Sequence, residues 1–269
     1  MLRDVGSCAA CLPAVCFNFR ALVLRHGQTD ANAMEIEQGS ADFSRLTELG
    51  KRQASNAYQA LLDTALAEDD NNIVDKRTAS IDSVYTSPLT RARQTLQQLR
   101  QADETSILPA TDQILFDLRE VDLYDWQGES YSDLRRKFPE SWMAWEKGIP
   151  GKMKVSDSSN QIERYPILEM WERADCVWDE ILDLEKKQIM GQSYDLNMRR
   201  TSLIVAHGNL GQALLGNALG FDASRFNDET LKFGNCGMAE IEFVDLDTSP
   251  RKAANRWRWR WPEPSSWMQ

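Results

Sequence analysis

Short apolar runs alternate along this chain with longer stretches in which apolar residues recur every three or four positions. Arg20 to Leu24 reads as a first strand, with the unbroken apolar character of a central strand covered on both faces. A polar loop over 26–46 carries Asn32 and Gly39. Thr47-Glu48-Leu49-Gly50 opens a helix that runs to about Ala67, because Ala54, Ala57, Leu61 and Leu62 fall at helical spacing. Asp69-Asp70-Asn71-Asn72 is an exposed break, and Ile81 to Tyr85 a second strand. Ser87-Pro88 then starts a helix, with Ser87 expected as the N-cap and Pro88 in the first turn. Leu108 to Leu115 includes a further short strand, and Ile167 to Lys187 is a long amphipathic helix. Ser202–Ala206, Leu210–Leu219 and Met238–Val244 read as strand, helix and strand. Strands alternating with helices predict an α/β fold rather than a β-sandwich.

Two stretches break this rhythm. Residues 130–166 are rich in Trp, Lys and Ser and punctuated by Pro139, Pro150 and Pro166; they read as an inserted lid with a mobile tip at Ser156–Asn160. The tail Arg256-Trp257-Arg258-Trp259-Arg260-Trp261 has the period of a strand with two unlike faces. One reading is an edge strand with Trp buried and Arg solvated; the other is a tail that binds a membrane or RNA. The formal net charge of −10 favours the edge strand.

That charge, with a pI near 4.9, also argues against nucleic acid and acidic membrane surfaces as partners, since both require a positive field. A small anionic substrate stays compatible, because a local group of arginines overrides a distant negative surface. At 269 residues and 42% hydrophobic, the chain suffices for one large core. It divides into residues 1–17, a mobile N-terminus or presequence remnant, and a single domain over 18–269. Five cysteines in no regular framework point to a reducing compartment. Cys8-x-x-Cys11 is half of a zinc pattern with no second half, so no metal is expected. No apolar run reaches the roughly 20 residues of a membrane span.

The candidate chemistry lies at strand ends. The chain has only two histidines, and each follows an apolar run and precedes glycine: Arg25-His26-Gly27 and Ala206-His207-Gly208. Ligands of open α/β sheets bind at such carboxyl ends. Arg25 can fork onto a phosphate, and Asn32, six residues after His26, can donate a further bond. Arg91 falls in the first turn of the helix after Ser87-Pro88, where free N–H groups and the helix dipole attract anions. Glu120 in Leu118-Arg119-Glu120 is a carboxylate able to act as general acid and then base.

The ordered set Leu-x-Arg-His-Gly-x-Thr with Asn32, Ser-Pro-Leu-x-Arg-Ala-x-Gln-Thr, Leu-Arg-Glu and Val-x-His-Gly-Asn resembles the histidine phosphatase superfamily in its phosphoglycerate-mutase-like branch, over about residues 19–245. The resemblance implies a three-layer α/β/α sandwich with a mostly parallel central sheet and an inserted lid. It implies His26 as the nucleophile that takes the phosphoryl group, and Arg25, Asn32, Arg91, His207 and Gly208 around the phosphate. It implies Glu120 as the acid that protonates the leaving oxygen and then activates water, with no metal and no cofactor. Phosphoglycerate mutases of this family usually carry Glu-Arg-His-Tyr-Gly where this chain has Leu118-Arg119-Glu120-Val121-Asp122, and Trp where it has Ala31, so hydrolysis is expected over mutase-type transfer.

Within the family, Leu118 to Gly128, Tyr165-Pro166, Glu169 to Ala174, the Gln212–Leu215 helix and Asn235-Cys236-Gly237 resemble the plant 2-carboxy-D-arabinitol-1-phosphatase-like group. That group implies a small sugar phosphate as substrate and a chloroplast location; otherwise the chain is expected to be cytoplasmic. Its members tend to have Asn-Ala where this chain has Gly208-Asn209. Lys147, Lys152, Lys154 and Arg164 of the expected lid can be read as recognising a second anionic group of the substrate.

Overall fold

The computed structural model describes residues 18–66, 80–190, 199–243 and 256–261. The expectations for residues 1–17, including Cys8 and Cys11, and for the break at 69–72 lie outside the described residues. In chain order the elements are β1 (Asn18–Arg25), α1 (Asp30–Ala33), α2 (Glu48–Leu66), β2 (Ser83–Thr86), α3 (Thr90–Ala102), β3 (Gln113–Ile114), α4 (Tyr131–Lys137) and α5 (Pro139–Glu146). Then come β4 (Val155–Asp157), β5 (Ile162–Arg164), α6 (Pro166–Met190), β6 (Arg199–Ala206), α7 (Gly208–Ala218), β7 (Met238–Phe243) and β8 (Arg256–Trp261).

Six strands form one sheet in the order β3-β2-β6-β1-β7-β8. β3, β2, β6 and β1 are mutually parallel, while β7 runs antiparallel to both β1 and β8. Strand periodicity divides the side chains between two cores. Phe19, Ala21 and Val23 of β1, with Ile204 and Ala206 of β6, pack beside buried residues of α6 and α7. Leu22, Leu24, Leu203 and Val205 point the other way, into a cluster with Ala54, Ala57 and Leu61 of α2 and Leu96 and Leu99 of α3. The three-layer, mostly parallel α/β/α arrangement is therefore present, and β1 and β6 lie side by side at its centre.

The expected lid region folds as α4, α5 and the β4–β5 hairpin. Leu134, Trp142, Trp145, Met153 and Val155 from it are buried in the α6–α7 core. The segment expected to be a mobile tip is anchored: Ser158 Oγ donates to Asp125 at 2.5 Å, and Asn160 Nδ2 donates to Asp157 at 2.8 Å.

Two local expectations are corrected. The helix after Ser87-Pro88 begins at Thr90, with Leu89 as an N-cap that contributes no side-chain bond. Asp42 caps it instead, accepting from Thr90 N and Oγ1 at 2.7 Å each. In the tail, β8 is indeed an edge strand, and Trp257 and Trp259 pack against the core. Its arginines, however, are not simply solvated: Arg258 and Arg260 both pair with Glu240 of β7, whose side chain is fully buried. Arg20 adds a third cation at 3.7 Å. A carboxylate buried in a sheet needs such partners, and the register that sets Arg258 opposite Glu240 supplies them.

Candidate active site

His26 and His207 follow β1 and β6 directly, so the parallel pairing of those strands brings the two rings to 5.2 Å between centroids. Both imidazoles are buried. His26 Nδ1 lies 2.7 Å from the carbonyl of Gly27. A carbonyl can only accept, so Nδ1 carries the hydrogen and Nε2 keeps its lone pair. Burial, reinforced by Arg91 and Arg25, holds the His26 pKa well below its ordinary value. The neutral, nucleophilic form is therefore the resting form near neutral pH.

The loop after His26 is built by close approach. A Cβ on Gly27 would meet the Gly50 carbonyl oxygen at 2.4 Å, and one on Gly50 would meet the Gln28 carbonyl oxygen at 2.0 Å. Glycine at both positions lets the start of α2 seat against the histidine loop. Thr29 caps α1, and the Asn32 carbonyl oxygen accepts from Thr29 N and Oγ1 at 3.1 and 3.0 Å. The Asn32 amide NH2 is thus the end left to donate.

The arginines converge from different elements. Arg25 Nη1 donates to the Phe233 carbonyl at 2.7 Å, and its guanidinium lies over Gly208, where a Cβ would stand 3.2 Å from Nε. Arg91, in the first turn of α3, folds back to the carbonyls of Ala41 (2.9 Å) and Gly39 (2.7 Å) and is 1% exposed. Burial lowers its pKa to about 10, still cationic at neutral pH. The α3 N-terminus expected to face an anion is taken by Asp42, so Arg91 serves the pocket through its side chain.

Glu120 is buried against the start of α7. Its carboxylate accepts from Val121 N and Leu210 N at 2.9 Å and from Asn209 N at 3.1 Å. Its own carbonyl accepts from Arg173 Nη2 at 2.9 Å, and Arg173 also pairs with Asp122. The site residues named from the sequence, His26, Arg25, Asn32, Arg91, Glu120, His207 and Gly208, thus gather around the carboxyl ends of β1 and β6.

Four further residues join them. Ser87 Oγ lies 2.7 Å from His207 Nε2, which is the structural use of the serine expected to cap a helix. Arg173 comes from α6; it lies in the Glu169–Ala174 stretch singled out in the sequence, without a role. Glu37 is buried beside Gln38 and Gly39 and interacts electrostatically with Glu120, Arg91 and Arg25. Tyr131, at the start of α4, interacts with Glu37, Arg25 and Glu120; burial and Glu37 push its phenol upward. Nothing in the sequence pattern marked Glu37 or Tyr131. Cys236 packs beneath, its thiol pushed up to about 12 by burial, and its N–H donates to the His26 carbonyl at 3.2 Å.

The lid cations do not join the site. Lys147, Lys152 and Lys154 line a separate cavity of about 820 Å³ with Trp126, Phe138 and Met143, and none of the residues gathered above lines it. Lys154 pairs with Glu163, and Arg164 pairs with Asp157 while lying over the Tyr124 ring. These four are thus not among the residues gathered around His26. Among the described residues no cluster of three or more His, Cys, Asp or Glu is arranged to hold a metal, and no helix is long and apolar enough to cross a membrane.

Comparison with known proteins agrees with this geometry. The chain is 31% identical over 233 residues to a 2-carboxy-D-arabinitol-1-phosphatase of Triticum aestivum, covering 87% of this chain and 39% of that protein. It is 32% identical over 241 residues to a probable 2-carboxy-D-arabinitol-1-phosphatase of Arabidopsis thaliana, covering 88% and 41%. It thus spans about two fifths of the length of these plant relatives. Among solved structures, a mycobacterial glucosyl-3-phosphoglycerate phosphatase shares the fold, with a TM-score of 0.63 at 23% identity over 90% of this chain and 97% of that one. The profile of the histidine phosphatase superfamily (branch 1) matches residues 21–256, and the chain belongs to that family.

Proposed function

We propose that this chain is a metal-independent phosphatase that hydrolyses a small phosphomonoester of the sugar-phosphate type through a phosphohistidine at His26. The observation that carries the reading is that three buried donors on residues gathered around His26 lack a partner. Arg25 Nε, Arg91 Nε and His207 Nδ1 have no hydrogen-bond partner among the described residues. Buried polar groups are ordinarily paired, and unpaired ones call for an explanation. A tetrahedral oxyanion beside His26 answers all three. With the Ser87 hydroxyl proton given to His207 Nε2, Nδ1 carries the hydrogen and donates as well.

The chemistry follows from these groups. His26 Nε2 attacks phosphorus while the ester P–O bond breaks, and Glu120 gives its proton to the departing alcohol oxygen. Water then attacks the phosphohistidine, Glu120 takes the water proton, and the N–P bond breaks. Charge on the equatorial oxygens is met by Arg25, Arg91, His207 and Asn32, whose positions are set before reaction; such preorganisation is the main source of rate in phosphoryl transfer. The names of the plant and mycobacterial relatives support a phosphorylated sugar or sugar acid as substrate. The plastid location is part of the same reading; a fluorescent fusion of the full chain that stays outside plastids would remove it.

The test is phosphate release from p-nitrophenyl phosphate, 3-phosphoglycerate, carboxylated pentitol phosphates and sugar bisphosphates, with EDTA present and His26→Ala in parallel. Turnover that survives EDTA and vanishes in the variant is expected. Isomerised product in place of free phosphate, dependent on a bisphosphate, would turn the reading to a mutase; no reaction with any substrate would overturn it.

A further inference from the structure

Arg91 is aimed by a loop outside its own helix. Its guanidinium donates to the carbonyls of Gly39 and Ala41, at 2.7 and 2.9 Å. Gln38 closes the base of that loop, its Oε1 accepting from Thr29 Oγ1 at 3.0 Å and from Ser44 Oγ at 2.6 Å. Asp42 ties the far side of the loop to the start of α3. Between these two anchors a side chain from a distant segment reaches in. Gln127 Oε1 accepts from Ser40 Oγ and from Ala41 N, at 3.1 Å each. A backbone N–H can only donate, so the end of the amide that faces Ala41 is the oxygen. Ala41 N–H is shared with the Gln38 carbonyl at 3.2 Å. The approach is close: a Cβ on Gly39, whose φ is +49°, would stand 2.5 Å from Gln127 Oε1 and 3.0 Å from the Val121 carbonyl oxygen. Gln127 is itself set in fixed backbone. It follows Trp126, which is 1% exposed, and its N–H donates to the Tyr124 carbonyl at 3.1 Å. On its other side Gly128 N donates to the Glu37 carbonyl at 2.8 Å, and Glu37 N to the Glu129 carbonyl at 2.9 Å.

We propose that Gln127 is a positioning residue of the reaction: it fixes the 39–41 loop against the segment that carries Glu120, and so sets where Arg91 stands relative to the general acid. The proposal rests on the phosphatase reading of the site. In that reading the phosphoryl group lies between Arg91, which meets its equatorial oxygens, and Glu120, which meets the leaving oxygen. Arg91 and Glu120 come from segments far apart in the chain, and two groups that act on one transition state must keep a fixed separation. A misplacement of 1 Å can cost about 100-fold in rate. The donor whose aim is at stake is Arg91 Nε, which has no hydrogen-bond partner among the described residues. Without the Gln127 oxygen, Ala41 N and Ser40 Oγ lose their link to the Glu120 segment, and the two carbonyls that hold Arg91 are free to shift with the loop.

Gln127→Met tests this, because it keeps the bulk of the side chain and removes the acceptor. Its kcat/KM for p-nitrophenyl phosphate should fall roughly 10- to 100-fold. Tungstate, an oxyanion with no leaving group, should bind roughly fivefold or more weakly in a calorimetric titration, while the thermal midpoint moves by only a few degrees. A purely structural glutamine would lower the midpoint and leave tungstate affinity unchanged. The route through Arg91 is tested by a double-mutant cycle with Arg91→Lys, whose single ammonium cannot fork onto both carbonyls. In that background Gln127→Met should cost less than about threefold in kcat/KM. An unchanged kcat/KM or an unchanged tungstate affinity in Gln127→Met overturns the proposal and leaves the phosphatase reading intact. A loss as large in the Arg91→Lys background as in the wild type also overturns it, since Gln127 would then act elsewhere. A wild type that releases phosphate from no substrate overturns both. Should Gln127→Met not fold, Gln127→Asn, one methylene shorter than the reach to Ala41, takes its place with the same expected and overturning results.

Discussion

Ser87→Ala separates two uses of one side chain. As a helix cap, Ser87 would contribute about 1 kcal/mol of stability and nothing to catalysis. The structure places its hydroxyl instead 2.7 Å from His207 Nε2, with both residues fully buried. It also accepts from Leu89 N at 3.3 Å, a longer and weaker bond. Removing the hydroxyl leaves a buried ring nitrogen without a partner, at a cost of about 1–3 kcal/mol. The ring can avoid part of that cost by moving its hydrogen from Nδ1 to Nε2. It then presents a lone pair, not an N–H, to the phosphoryl oxygens. On either route the loss falls on the transition state, where His207 meets developing negative charge. A loss of about 1.5–3 kcal/mol corresponds to a fall in kcat/KM of roughly 10- to 150-fold. The assay is kcat/KM on p-nitrophenyl phosphate alongside the thermal midpoint of the same preparation. A large loss of activity with a midpoint shift of a few degrees is expected. Unchanged kcat/KM with a lowered midpoint would refute the assignment and return Ser87 to a purely structural role.

The remaining expectations concern the support of the site and its response to acid. Arg173→Met removes the donor to the Glu120 carbonyl and one partner of Asp122; kcat should fall roughly tenfold or more with KM nearly constant, since only the general acid–base group is displaced, and an unaltered kcat would show that the Glu120 loop holds itself. His26 and His207 both have folded pKa values below the unfolded one, so the unfolded chain binds more protons below about pH 6.5 and stability falls as the pH drops, by about 1.4 kcal/mol per pH unit for each histidine. Glu37, raised in the folded state, has the opposite sign over the interval from its unfolded value up to about 7 and cancels roughly one of them. Urea midpoints between about pH 5 and 6.5 should therefore show a single-proton slope in the wild type and about twice that slope in Glu37→Gln; equal slopes would contradict the signs. Glu240→Gln leaves Arg20, Arg258 and Arg260 without their shared buried carboxylate and should cost about 3 kcal/mol or more, seen as faster trypsin cleavage within 256–261; a tail as resistant as the wild type would show that Trp257 and Trp259 suffice to hold it.

Local sequence signals reached the fold and the reacting groups because each rests on short-range physics. Continuous apolar runs marked β1 and β6 as central strands, and a histidine directly after each fixed where both rings would emerge once the strands paired in parallel. Arg91 was placed by its position in the first turn of a helix. What stayed hidden depends on how distant segments meet. Ser87 sits in a sequence that also fits a cap, and only its approach to His207, 120 residues further on, reveals its partner. The tail arginines looked solvated because the alternation shows a second face without showing that a buried glutamate of β7 lies opposite. The lid lysines looked like substrate ligands because charge in a loop carries no direction; in the fold they line a cavity that none of the residues gathered around His26 shares.

Glu37 is the sharpest case. By its neighbours in sequence it is an ordinary polar residue before a Gln-Gly turn, and its character comes entirely from the loop that buries it between Arg25, Arg91, Glu120 and Tyr131. The same enclosure that leaves donors of Arg25, Arg91 and His207 unpaired also buries a second carboxyl near Glu120, a placement that depends on how β1, α3 and α4 meet and that no single run of sequence marks.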